Sequence, residues 1–254
     1  PEPKEGVEPS IRIHMPTDVD FTWVDGVRGE ITVSSNEEGD WVAMKSNGIP
    51  TYSFANVVDD HAHRITHVMR GEEHISNTPK QLFLYDTFGF ERPEFAHLTI
   101  ITDETGKKLS KRNETVEQFM DQFISKGYLP EAILNFMSLL GWSPKSEQEI
   151  FTKEELVKLF TLDGLSKSSS MFDIEKLKWT NNKYIQKLEE EELFKFLSPY
   201  ITDLPFEKDI VMQIIKLFQP GLHIGEEITE HVKIFTNDLS LTAEEKAFVS
   251  ENKD

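Results

Sequence analysis

The chain has 254 residues, long enough for two or three domains. Its formal net charge of -18, from 45 acidic against 27 basic side chains, argues against non-specific nucleic-acid binding through a broad positive field. Cysteine is absent, which removes disulfides and thiolate metal sites and fits a reducing compartment, and no apolar run reaches the roughly 18 residues of a membrane helix.

Residues 1–18 hold four prolines and little apolar periodicity, and read as an extended entry segment. Phe21 to Val33 alternates apolar and polar residues around Asp25-Gly26, which predicts a hairpin. Glu37 to Asp40 is a second turn, Trp41 to Met44 a short strand, and Asn47-Gly48 a third turn. Thr51 to Val58 is apolar-rich, follows Pro50 and is closed by Asp59-Asp60-His61. Ile65 to Met69 reads as a short buried strand. Thr78-Pro79 predicts a helix to about Phe88, with Leu82, Leu84, Tyr85 and Phe88 as its apolar face and Gly89 as its end. With a strand over Phe95 to Ile101, this makes a βαβ unit.

Beyond residue 113 the pattern turns helical. Thr115 and Gln118 have capping-box spacing, and Val116, Phe119, Met120, Phe123 and Ile124 form one apolar face before Gly127. Pro130 opens a helix over Glu131 to Leu140 that is apolar on most sides and belongs in a core. Thr152 and Glu155 repeat the capping-box spacing ahead of Leu156, Leu159 and Phe160. Lys167 to Ser170 is a polar loop, and Asp173 caps a helix carrying Ile174, Leu177 and Trp179. Further amphipathic helices are predicted over Glu189 to Leu197, Phe206 to Phe218, Gly225 to Phe235 and Thr242 to Ser250, punctuated by Pro199, Pro205 and Pro220.

The chemistry centres on Asp103 to Asn113, where Gly106 precedes the basic run Lys108-Leu109-Ser110-Lys111-Arg112. Two adjacent cations beside a small serine suit an oxyanion-rich group; the plain alternative is a solvated basic turn. Upstream stands Met69-Arg70-Gly71-Glu72-Glu73-His74, and before it Gly48-Ile49-Pro50-Thr51-Tyr52-Ser53-Phe54-Ala55. On residues alone, Arg70 is either a carboxylate-binding fork or a structural ion pair with Glu72 or Asp86. His61, His63 and His67 have spacings that could suit a metal, but without cysteine and near a turn no metal site is expected. Glu189 to Glu192 reads as a solvated helix start.

These blocks, in this order and followed by Gly127-Tyr128-Leu129-Pro130-Glu131-Ala132, resemble the class I glutamyl-tRNA synthetases over about residues 20–190, the basic run matching that family's "KMSKS" signature in the form KLSKR. The resemblance implies an α/β portion followed by an all-α one. It sets the end of an acceptor-binding, β-rich insertion at 1–50 and the second half of a Rossmann-like nucleotide-binding domain at 51–95. A stem-contact region with the KLSKR loop follows at 96–187, and the start of a helical anticodon-binding domain at 188–254.

It also implies roles. Lys111, seconded by Lys108, is the expected catalytic cation at the ATP phosphates. Glu73 would accept from the ribose hydroxyls, and Ile101 would offer its backbone to the adenine edge. Arg70, with Tyr52 and Asn56, would take the glutamate side-chain carboxylate. Tyr52 could instead be a core aromatic with a wet tip, Glu73 a helix-entry charge and Ile101 an ordinary strand residue. His74 stands where some relatives carry Trp.

The implied substrates are L-glutamate, ATP with Mg²⁺ held mostly by phosphate oxygens, and tRNA-Glu. A cytoplasmic monomer without structural zinc is expected. The chain opens at Pro1 and shows no His-x-Gly-His-type nucleotide motif, so a fragment, cut before and after and inactive by itself, is expected. The alternatives are a glutaminyl-tRNA synthetase and a non-catalytic tRNA-binding or scaffold protein.

Overall fold

The computed structural model describes residues 8–109, 119–201 and 205–236. Its elements in chain order are β1 (Ile11–Ile13), β2 (Asp20–Asp25), β3 (Gly29–Ser34), β4 (Trp41–Met44), α1 (Tyr52–His63), β5 (His67–Gly71), α2 (Thr78–Phe88), β6 (Glu94–Leu98) and β7 (Ile101–Thr102). Then come α3 (Met120–Lys126), α4 (Pro130–Leu139), α5 (Lys153–Leu159), β8 (Ser170–Met171), α6 (Ile174–Ile185), α7 (Glu190–Leu197), α8 (Lys208–Phe218) and α9 (Ile228–Thr236). They fall into two compact units, one of Pro1–Lys108, Leu140–Glu147 and Leu159–Phe172, the other of the remaining residues.

In the first unit a four-stranded mixed sheet has the order β3-β2-β6-β5. The expected hairpin forms, with Asp20 opposite Ser34 and Asp25 opposite Gly29. Side chains alternate along β2, so Phe21, Trp23 and Asp25 are buried while Thr22 and Val24 are exposed. β6 runs parallel to β5 and meets β2 in parallel at Phe95 and Asp25. The βαβ unit β5-α2-β6 therefore forms as expected, but the hairpin adds an antiparallel edge strand and the sheet is mixed. Separately, β1 pairs antiparallel with β4. Met15, Phe21, Trp23, Val57, Leu82, Leu84, Tyr85 and Phe95 form one buried cluster. Removal of such side chains from water is the main drive to this fold.

Several expectations need correction here. Thr51 to Val58 does not close at Asp59: it opens a twelve-residue helix that runs to His63, with Arg64 in the left-handed conformation at φ 56°. The strand expected over Ile65 to Met69 runs instead from His67 to Gly71; Ile65, which precedes it, and Met69, on this edge strand, are both 42% exposed. Phe88 is 42% exposed, so only Leu82, Leu84 and Tyr85 of the expected α2 face are buried. Phe95 to Ile101 is not one strand: β6 ends at Leu98, and Ile101 belongs to β7, which pairs in parallel with β8.

The second unit is helical among its described residues. Ile185, Leu193, Leu197, Val211, Ile214, Ile215, Leu222, Ile228 and Val232 make its core. Predicted caps hold: Thr152 and Glu155 exchange bonds at 2.8 and 3.2 Å, and Asp173 Oδ1 accepts from the backbone of Glu175 and Lys176. Gly127 ends α3 at φ 85°, and a Cβ there would lie 2.3 Å from Gly225 N, so glycine is required twice over. Of the face predicted for α3, Phe123 is buried, while Phe119, Met120 and Ile124 are half-exposed. Thr115, Val116, Gln118 and the helix expected over Thr242 to Ser250 lie outside the described residues. α4 is less enclosed than its composition suggests, since Leu134 and Met137 are exposed. At the acidic start of α7, Glu190 pairs with Lys216 and Glu191 with Lys208.

Candidate amino-acid and nucleotide site

Arg70 lies near the end of β5 and Tyr52 at the start of α1. The fold brings them together although 18 residues separate them. Arg70 Nε donates to His97 Nε2 at 3.1 Å, and Nη2 donates to Thr78 Oγ1 at 2.9 Å and to the His74 carbonyl at 3.4 Å. The Nε and Nη2 hydrogens are thereby all engaged. Nη1 makes one long contact, to the Tyr52 hydroxyl at 3.4 Å. Phe95 lies under the guanidinium, 5.6 Å from ring centroid to Cζ.

None of these partners is a carboxylate. Glu72 pairs with Arg28, whose Nη1 also donates to the Lys167 carbonyl at 2.8 Å. Asp86 is gripped by Arg92. The structural ion pairs open to Arg70 on sequence grounds are thus made by other residues. Tyr52 is half-exposed, not a core aromatic, and its ring lies 5.2 Å from that of His74. Asn56, one turn along α1, is tied down: its amide donates to Asp60 at 2.7 Å and its carbonyl accepts from Gln81 at 3.1 Å. Burial raises the pKa of Asp60 despite Tyr85 and Arg70 nearby.

Behind Arg70 stands a buried pair that sequence reasoning missed. His97 on β6 is fully buried, and its Nδ1 lies 2.5 Å from Oδ2 of buried Asp25. The other oxygen of Asp25 accepts from the backbone N–H groups of Val27, Arg28 and His97. Burial pushes the Asp25 carboxyl up, but the His97 bond and these backbone donors hold it below its ordinary value. Burial lowers the His97 pKa, against the pull of Asp25.

The nucleotide candidates sit nearby in the same unit. Glu73 follows β5, and its carboxylate curls back against Gly71, where a Cβ would meet Oε2 at 2.0 Å. Lys108 Nζ donates to Glu73 Oε1 at 2.6 Å, and this exposed pair lowers the Glu73 pKa. Asp103 Oδ1 accepts from Thr105 and Lys107 and folds the turn that carries Gly106 at φ 78°. Half-buried Ile101 pairs with Ser170 in a short ladder. Lys111 lies outside the described residues. Among those residues no group of three His, Asp or Glu is placed to hold a metal; His61 stacks on Phe90, and His67 faces Glu94 at 3.5 Å. Nor, among them, is any helix long and apolar enough to cross a membrane.

Comparison with known proteins gives a consistent result. The family model described as tRNA synthetases class I (E and Q), catalytic domain, matches residues 2–179. A glutamate–tRNA ligase of Exiguobacterium sibiricum is 47% identical over 242 residues, 92% of this chain and 50% of that protein. The glutamate–tRNA ligase of Bacillus subtilis is 43% identical, over 98% of this chain and 53% of its own length. A solved glutamate tRNA ligase from Elizabethkingia meningosepticum, in complex with its amino acid, aligns with a TM-score of 0.85 at 33% identity, over 92% of this chain and 51% of that one. The chain spans about half the length of the curated relatives it matches.

Proposed function

This chain belongs to the class I tRNA synthetases of the E and Q type, and on that premise we propose that it forms part of a cytoplasmic glutamate–tRNA ligase. The reaction has two steps. An α-carboxylate oxygen of L-glutamate attacks the α-phosphorus of ATP, forming glutamyl-adenylate and releasing pyrophosphate. A hydroxyl of the terminal ribose of tRNA-Glu then attacks the acyl carbon and AMP leaves. Such chemistry asks the protein for positioning and charge neutralisation.

The observation that carries the reading is the state of Arg70: a cation held by uncharged acceptors, with Nη1 turned toward the half-exposed Tyr52 hydroxyl. A carboxylate offers acceptors to both groups, whereas glutamine's amide nitrogen offers only donors. Because Nε and Nη2 are engaged, the substrate carboxylate is shared between Arg70 Nη1 and Tyr52. Asn56, fixed by Asp60 and Gln81, borders the same pocket.

Glu73 accepts from the ribose, the Ile101 backbone meets adenine, and Lys111 with Lys108 neutralises charge on the phosphates. Mg²⁺ arrives with ATP, bound chiefly by phosphate oxygens. The β-rich start of the chain belongs to the acceptor-binding insertion. Residues 51–95 complete the nucleotide-binding half, 96–187 contact the tRNA stem, and the helices from 188 begin the anticodon-binding region.

The test is aminoacylation of purified tRNA-Glu and tRNA-Gln by the complete gene product, with glutamate and glutamine each supplied as substrate. Charging with glutamate and not glutamine is expected. Efficient use of glutamine would overturn the reading.

A further inference from the structure

We propose that His97, fixed by Asp25, is a positioning residue for amino-acid recognition, holding the Arg70 guanidinium so that Nη1 faces the substrate. The proposal rests on the reading that Arg70 meets the substrate carboxylate.

An arginine side chain is long and carries much rotamer freedom, so a partly exposed one points one way only when something holds it. Guanidinium nitrogens only donate, so each contact demands a lone pair from its partner. For the bond from Arg70 Nε, His97 Nε2 must be unprotonated. At the other side of the ring, Nδ1 faces an Asp25 oxygen at 2.5 Å, and a carboxylate only accepts, so Nδ1 must carry the proton. Both ends select the same neutral tautomer. The opposite one would set N–H against N–H at Arg70 and lone pair against carboxylate at Asp25.

Asp25 cannot easily turn away. Its Oδ1 collects three backbone N–H groups at 3.0, 3.0 and 3.1 Å, two from the turn between β2 and β3 and one from His97 itself. Thr78, also fully buried, accepts from Arg70 Nη2 and lies 3.3 Å from His97 Nε2. The hairpin turn therefore fixes Asp25, Asp25 fixes the His97 tautomer, and the tautomer fixes one edge of Arg70. His97 never touches the amino acid, yet it sets how firmly the cation is presented to it.

The test is Asp25→Asn in the complete gene product. The amide oxygen retains the three backbone bonds, while its NH₂ faces Nδ1 and drives the ring proton to Nε2. ¹⁵N NMR of the imidazole is expected to show the tautomer reversed. The KM for glutamate should rise about tenfold or more, the scale of one hydrogen bond to a charged group. The KM for ATP should stay within about twofold. An unchanged glutamate KM, or equal rises for glutamate and ATP, overturns the proposal. So does a spectrum of the unaltered protein with the proton on Nε2, which needs no variant.

If Asp25→Asn does not fold, His97→Gln and His97→Leu take its place. Glutamine can present an acceptor to Arg70 and should hold the glutamate KM closer to the parent value than leucine does; equal values refute the positioning role. Arg70→Ala separates the two ideas. A raised glutamate KM in Arg70→Ala but not in Asp25→Asn defeats only the positioning role. An unchanged one in Arg70→Ala defeats the recognition reading and this proposal together.

Discussion

The two compact units both bury polar side chains, but to different ends. In the helical unit Asn181 is fully buried: its Oδ1 accepts from Leu129 N at 2.8 Å, and its Nδ2 donates to the carbonyls of Gly127 and His223 at 3.1 and 2.6 Å. Asn182 donates to the carbonyls of Pro220 and Leu222 and accepts from Gln186. Asn135 accepts from Phe151 N and the Tyr184 hydroxyl and donates to the Glu149 carbonyl. Each amide bridges backbone groups of separate segments inside the unit, with side-chain help from Gln186 and Tyr184. In the sheet unit the buried series Asp25, His97, Thr78 runs outward into Arg70, whose Nη1 keeps capacity to spare. Buried polar groups that saturate one another fix a backbone; a buried series that ends in an underused donor near the surface marks a binding site.

The sharpest way to break this contrast is to remove one member from each side. Asn181→Ala strands the His223 carbonyl and the Leu129 N–H in the interior, while the Gly127 carbonyl keeps Gly225 N at 3.0 Å; it is expected to cost about 3 kcal/mol of stability, read by chemical denaturation. Arg70→Ala should change stability far less, by about 1 kcal/mol or under, yet lower kcat/KM for glutamate roughly 10²-fold, or about 2.7 kcal/mol of transition-state binding. A variant of Asn181 that impairs glutamate use while leaving the denaturation midpoint untouched would reverse the assignment. Lys111→Ala is expected to slow adenylate formation by roughly 10²-fold, the loss from one preorganised charge donor, with the KM for glutamate little affected.

Much of the frame was legible. Period-two alternation around Asp25-Gly26 gives the hairpin, Thr78-Pro79 and Gly89 bracket α2, and Asp173 caps α6. α1 was harder to see because no side chain caps it: Thr51 makes no bond of that kind, and β-branched Val57 and Val58 sit mid-element. Met69 is exposed on a strand whose edge position no local pattern states. At the site, Arg70 and Tyr52 were found through the motif resemblance and not through periodicity. Asp25 did carry a signal: it continues the inward phase of Phe21 and Trp23, so a carboxylate was due to be buried where a turn residue was read. His97 carried none, since its partner lies 72 residues earlier and only the β2–β6 pairing joins them.

Acidification offers a finer test of the sheet unit. The His97 pKa is lowered by burial, with Arg70 and His74 adding to the effect and Asp25 opposing it. The unfolded chain then takes the proton first, so stability should fall as pH drops from about 6.5 toward the depressed folded value, and level off below it. Asp25, held below its ordinary 3.8, contributes stability above that range and loses it only as pH falls through its own folded value. In His97→Gln the upper part of the loss should be absent from a series of denaturation midpoints. An identical slope in both proteins would mean that other groups govern the acid response.

The smallest effect is expected at the surface pair of Glu73 and Lys108, whose side chains are 41% and 59% exposed. Exposed ion pairs contribute about 0–1 kcal/mol, and Glu73→Gln should sit at the low end of that range. Its proposed role at the ribose is a separate matter. An amide oxygen still accepts a hydrogen bond but lacks the charge, so the KM for ATP should rise a few-fold while that for glutamate holds. Glutamate recognition would then depend on the buried series behind Arg70, and nucleotide recognition on a pair that the fold does not need. Loss of stability in Glu73→Gln without any change in ATP use would place that pair with Asn181 instead, among the groups that hold the backbone.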